Sequence, residues 1–106
     1  MIDINTYPLI YWSNKSKIDL LERMLIVHSI LYYQLDKPVI SDKDYDELSR
    51  MFMSLKSEDE NAFEDSMYFY CFEEYDGSSG FDLFDLLSES DKEYLTKIAK
   101  VVSLRR

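Results

Sequence analysis

Two amphipathic stripes separated by a proline-containing break constrain this chain more than any other feature. Ile18, Leu21, Leu25, His28, Tyr32 and Leu35 recur at helical spacing, and Leu20, Met24, Val27 and Leu31 widen the apolar face. Ser16 is expected to cap that helix, and Asp36-Lys37-Pro38 to end it near Leu35, because proline disfavours helical backbone at the residue before it. A second stripe, Tyr45, Leu48, Phe52 and Leu55 with Met51 beside it, starts behind Ser41 or Asp42 as cap. Ser41 and Asp44 stand at the spacing of a capping box with the shorter acid. A connection this short folds one helix back on the other, so residues 16–57 are predicted to form an antiparallel helical hairpin.

The flanks are less regular. Residues 1–15 hold Pro8, Tyr11 and Trp12 without periodicity and read as an N-terminal arm. Residues 66–76 are dense in aromatic strand formers and predict a strand or hairpin segment, and Asp76 to Gly80 predict a turn. A short helix is expected over 81–87, from the apolar positions 81, 84 and 87. Ser90-Asp91-Lys92-Glu93 predicts a capping box for a last helix over 91–103, with Arg105 and Arg106 at the end its dipole prefers. At 106 residues the chain has room for one core, so 1–106 is expected to be a single domain. The fold class is mainly α, with α+β left open by the aromatic segment.

Charge narrows the functions. The net charge is −9, and residues 58–91 carry twelve acids and no base. Phosphate neutralisation needs clustered lysine and arginine, so this balance argues against direct nucleic-acid binding, and equally against docking on an anionic membrane surface. Aromatics run through the acidic stretch (Phe63, Tyr68, Phe69, Tyr70, Phe72, Tyr75, Phe81, Phe84), so residues 58–106 are read as a folded acidic segment followed by the C-terminal helix. Glu58, Asp59, Glu60, Glu64, Asp65, Glu73, Glu74, Asp76, Asp82 and Asp85 are its candidate interaction surface, facing a protein partner with a basic surface. The single cysteine, Cys71, excludes an intramolecular disulfide and a multi-cysteine zinc site and reads as packing. His28, alone on an apolar face, reads as a core histidine, and no metal site is expected. With no membrane-length apolar run and no secretory pattern at the start, a cytoplasmic location is expected. Monomer and dimer both remain open.

The stretch from Tyr32 to Leu48, YYQLDKPVISDKDYDEL, resembles the N-terminal helical hairpin, domain Ia, of bacterial NAD-dependent DNA ligases. It follows that family's pattern without a gap, with Asp44 where glutamate is usual, and the likeness extends over about residues 18–57. The resemblance implies contacts with the nicotinamide mononucleotide (NMN) half of NAD through Tyr32, Tyr33, Asp42, Tyr45 and Asp46. Tyr33 stands where some members have histidine. Aromatic faces can stack on a cationic nicotinamide ring, and carboxylates can hold ribose hydroxyls. The departure is equally clear: the adenylation domain with its lysine nucleophile has no counterpart. Cys71-Phe72-Glu73-Glu74-Tyr75-Asp76-Gly77 echoes the lysine motif only with Glu74 where lysine belongs.

The expectation is therefore a non-catalytic, acidic binding protein built on a ligase-like hairpin, with no catalytic residue and no required cofactor. NMN or NAD is its candidate ligand at the hairpin. The alternative is an acidic, DNA-mimic-like inhibitor from a phage or mobile element, an anti-CRISPR or other anti-defence protein acting on a basic enzyme surface.

Overall fold

A computed structural model describes residues 12–105. Residues 1–11, most of the expected arm, and Arg106 lie outside the described residues. Helix α1 spans Asn14–Ser29 and α2 spans Asp42–Glu58. Between them a π-helical turn covers Ile30–Gln34. Short helices α3 (Glu60–Glu64), α4 (Phe69–Phe72) and α5 (Leu83–Leu86) lead into the long α6 (Glu89–Leu104).

The predicted hairpin is present. At one end Asn14 Nδ2 donates to Asp59 (3.1 Å), and at the other the Tyr45 and Ser29 hydroxyls meet (3.0 Å), so α1 and α2 run antiparallel. Ser41 caps α2 as expected, its Oγ accepting the Asp44 amide. The α1 cap is Ser13 rather than Ser16: Ser13 holds extended backbone and its Oγ accepts the Ser16 amide, so Ser16 is the capped residue. Helix α1 is wrapped by the rest of the fold. Ile18, Leu21, Leu25, Ile26, Ile30 and Leu31 are all buried, and so is one acid, Glu22.

The expected strand over 66–76 is replaced by turns and α4, and no strand occurs among the described residues. Tyr68, Cys71, Phe72 and Tyr75 are the buried hydrophobic positions there, at spacings of three, four and seven from Tyr68. That helical period outweighs the β-propensity of the same side chains. With no strand beside it, the segment finds other partners for its backbone donors. Asp19 accepts the Met67 amide (2.8 Å), and Glu22 accepts both the Tyr68 amide (3.0 Å) and the Ser66 hydroxyl (2.7 Å). Helix α6 starts two residues earlier than expected. Ser88, not Ser90, caps it by accepting the Asp91 amide. The Tyr70 hydroxyl fixes that choice, accepting from the Ser88 amide and donating to Asp91. The expected helix at 81–87 is confined to Leu83–Leu86.

Phe52 of α2 joins the two halves of the chain. It is fully buried, with ring centroids of Phe72 at 4.8 Å and of Phe63 and Tyr75 at 5.9 Å. Asp76 to Gly80 form the expected turn. The Asp76 carboxylate accepts the Ser78 amide and hydroxyl, and Gly77 takes a φ of 86° that only glycine adopts cheaply. Cys71 is buried, and burial pushes its thiol up to about 11, so it is an inert packing group at neutral pH. No helix among the described residues is long and apolar enough to cross a membrane.

Candidate functional site

A cleft of about 310 Å³ opens where the end of α1, the connection to α2 and the first turn of α2 meet the 78–80 turn. That volume lies at the lower end of small-molecule sites. All five hairpin residues singled out from the sequence, Tyr32, Tyr33, Asp42, Tyr45 and Asp46, line it.

The backbone explains how they converge. After Ser29 the helix widens: the Leu35 amide reaches the Ile30 carbonyl five residues back (3.0 Å), and the Lys37 amide reaches Leu31 (2.7 Å). Asp36 then takes a φ of 53°, a left-handed conformation that aspartate tolerates better than most residues, and turns the chain toward Pro38. Tyr32 and Tyr33 are left 48% and 41% exposed, packed edge to face with centroids 4.8 Å apart. Tyr33 also meets Phe81 edge-on at 5.2 Å and shares a 3.3 Å hydrogen bond with the Ser79 hydroxyl.

On α2, Asp42 and Asp46 stand exposed at the mouth, whereas Tyr45 is half-buried between cleft and core. Ser29 spends its hydroxyl proton on the Leu25 carbonyl (2.7 Å), so Tyr45 must donate to Ser29 Oγ. Burial pushes the Tyr45 phenol well above its ordinary range, and it stays a neutral donor. Tyr45 therefore offers the cleft its ring, with its hydroxyl turned inward.

Two contributors escaped the sequence reading. His28, expected to be a core histidine, is half-buried on the cleft wall, and its Nδ1 is buried with no hydrogen-bond partner. Burial lowers its pKa, so the imidazole is neutral at pH 7. Its place on the hydrophobic stripe carries no mark of this role. The Ser78-Ser79-Gly80 wall was legible only as a turn, because nothing local shows which distant surface a turn will meet. Gly80 fits against Ser29 and Tyr45 so closely that a Cβ there would fall on both hydroxyl oxygens. Gly80→Ala is accordingly expected to destabilise the fold by about 1–3 kcal/mol, the range for overpacking, and to shift the Tyr45 ring resonances. Denaturant unfolding and NMR of the variant check this, and a loss under about 0.5 kcal/mol would contradict the packing described.

The ten acids are distributed differently. Nine are exposed; Asp59 is half-buried and engaged in capping α3 through the Ala62 amide. They share no single cavity. Glu60 and Glu64 border a groove with Phe63 and Phe69, whereas Glu74, Asp76 and Asp82 border another with Cys71. Among the described residues, no group of three or more His, Cys, Asp or Glu side chains converges in a way that could hold a metal ion.

Comparison with known proteins agrees with this geometry. The chain is 51% identical over 41 residues to the DNA ligases of Francisella tularensis subsp. novicida (strain U112) and subsp. tularensis (strain SCHU S4 / Schu 4). The aligned part is 39% of this chain and 6% of each ligase, so the chain matches only a small part of those relatives' length. No solved structure matches it. A family model described as "DNA ligase-like, N-terminal NAD+-binding domain" matches residues 12–67, just over half of the chain and the segment that builds most of the cleft. The chain belongs to that family of ligase-like, N-terminal NAD+-binding domains.

Proposed function

We propose that this chain is a non-catalytic recognition module for nicotinamide nucleotides, holding NMN, or the NMN half of NAD, in the hairpin cleft. The observation that carries the reading is the convergence of Tyr32, Tyr33, Asp42, Tyr45 and Asp46 on one cavity of ligand size, within the family-matched segment. The tyrosine rings offer aromatic surface to the pyridine ring, and the two carboxylates accept from ribose hydroxyls.

The chemistry of the lining supports a binding role. His28 makes no hydrogen bond to any of the cleft's hydroxyls, so no base is placed against a nucleophile. Ser78 does meet a carboxylate, but its own hydroxyl and amide hold Asp76 below the usual carboxylate range, which makes it a poor proton acceptor. A cleft open on one side buries little of a ligand, so the expected affinity is modest.

NMR titration of the labelled chain with NMN and with NAD tests the reading. Saturable shifts should cluster on Tyr32 to Asp46 and on Ser78 to Gly80. Tyr32→Ala combined with Asp46→Ala removes two exposed contacts without touching the core, and should weaken binding at least about tenfold with the unfolding midpoint unchanged. Tyr45 is the poorer choice for this purpose, because its hydroxyl ties α2 to α1. Unchanged binding in the double variant would remove the site from this cleft.

A further inference from the structure

We propose that the cleft selects for positive charge, so that an N-glycosylated pyridinium nucleoside, nicotinamide riboside, binds more tightly than its 5′-phosphate, NMN. The inference rests on the nicotinamide reading and adds which charge state the site favours.

Among the described residues the lining is charged in one sense only. Asp42 and Asp46 contribute two exposed carboxylates, and among the described residues no lysine or arginine lines the cleft. His28, the one lining side chain able to become cationic, is kept neutral by burial. Lys37 and Lys43 are close in sequence but are exposed outside the lining.

One feature of the fold argues the other way and has to be weighed. The N-terminus of α2 points its free amides toward this region, and helix starts ordinarily favour anions. Here that end is already answered. The Ser41 hydroxyl takes the Asp44 amide, and Asp42 and Asp44 place two negative charges on a dipole end worth about half a charge. The sum at the cleft mouth is negative.

A riboside carries the pyridinium charge of +1, whereas its phosphate ester is net negative near pH 7.5, the second phosphate pKa being about 6. Two carboxylates at the cleft mouth attract the first and repel the second. At the intermediate effective dielectric of a half-open site, the difference is about tenfold or more in affinity. The Tyr32–Tyr33 pair adds to the same preference, since an aromatic face attracts a cation.

The experiment is a titration of the full 106-residue chain at pH 7.5 and low salt with three ligands: nicotinamide riboside, NMN, and the reduced riboside. The reduced form keeps nearly the same shape without the ring charge. The riboside should bind at least about tenfold more tightly than either, and added salt should narrow the gap. Asp42→Asn with Asp46→Asn should bring the three affinities together, with circular dichroism showing the helices retained. NMN binding as tightly as the riboside, or the reduced riboside matching it, would overturn charge selection and leave the nicotinamide reading standing. Absence of shifts with all three ligands at millimolar concentration would overturn both.

Discussion

Phe52→Ala is expected to cost about 3–5 kcal/mol of folding free energy, a large part of what a domain of this size possesses. Phe52 is fully buried and meets the rings of Phe63, Phe72 and Tyr75. Truncation removes its own transfer free energy and leaves a cavity that short, tied helices cannot close. Phe72 and Tyr75 lie beyond the family-matched segment, so the variant also reports whether the hairpin and the acidic half share one core. Urea unfolding followed by far-ultraviolet circular dichroism and by tyrosine fluorescence should show one lowered transition, coincident in both probes. A loss below about 1.5 kcal/mol, or two separated transitions, would mean that the acidic half does not depend on this contact.

The second large effect concerns pH. Glu22 is completely removed from solvent, and burial, the largest influence on it, pushes its pKa up to about 7. The Ser66 hydroxyl and Tyr68 amide pull the other way without restoring the ordinary value. Among the lesser influences, the nearby Asp19 charge raises the pKa and Lys15 lowers it. Because the folded-state pKa lies above the unfolded one, the stabilising contribution is complete below about pH 4.5 and is lost as pH rises through about 7. Ionised Glu22 therefore burdens the fold by roughly 3 kcal/mol at alkaline pH. Glutamine has the same shape without that charge: its carbonyl accepts the Tyr68 amide and its amide can donate to Ser66. Glu22→Gln should be close to neutral at pH 4.5 and stabilising by about 2–3 kcal/mol at pH 8, the difference growing across that window. Unfolding free energies of both proteins measured along a pH series decide it. A difference that does not change with pH would show that Glu22 has the same pKa in the fold as in the unfolded chain, and so is not shifted by burial.

The sequence and the structure agree most closely where the signal was local. The paired stripes, the Ser41 cap and the break at Pro38 are decided within a few residues, and the five residues that the family resemblance singles out line one cleft on that hairpin. Disagreements arise where competition was settled at a distance. Ser13 and Ser88 take the caps that Ser16 and Ser90 could have filled, the latter because the remote Tyr70 hydroxyl holds Ser88. The 66–76 segment carried two periods at once, and acids on α1 decided between them by accepting its amides. His28 and the Ser78 to Gly80 wall join the cleft through tertiary contacts that no spacing in the sequence encodes. Nothing in the spacing along α1 singles out Glu22, and only the packing around it shows that it is enclosed.

The widened turn at Ile30–Gln34 makes residue number, and not residue type alone, part of the site. An extra backbone position per turn is either present or absent. Substitutions from Ile30 to Asp36 leave that count untouched and can retune Tyr32 or Tyr33 one atom at a time. Loss of a single residue ahead of Tyr32, Ile30 or Leu31, would let the ordinary four-residue ladder close and rotate every following side chain by about 100°. The rings would then swing off the cleft while Ile18 to Ile26 stayed packed. Length variants of this connection, more than point variants, are the one-step route from this cleft to a plain helical scaffold.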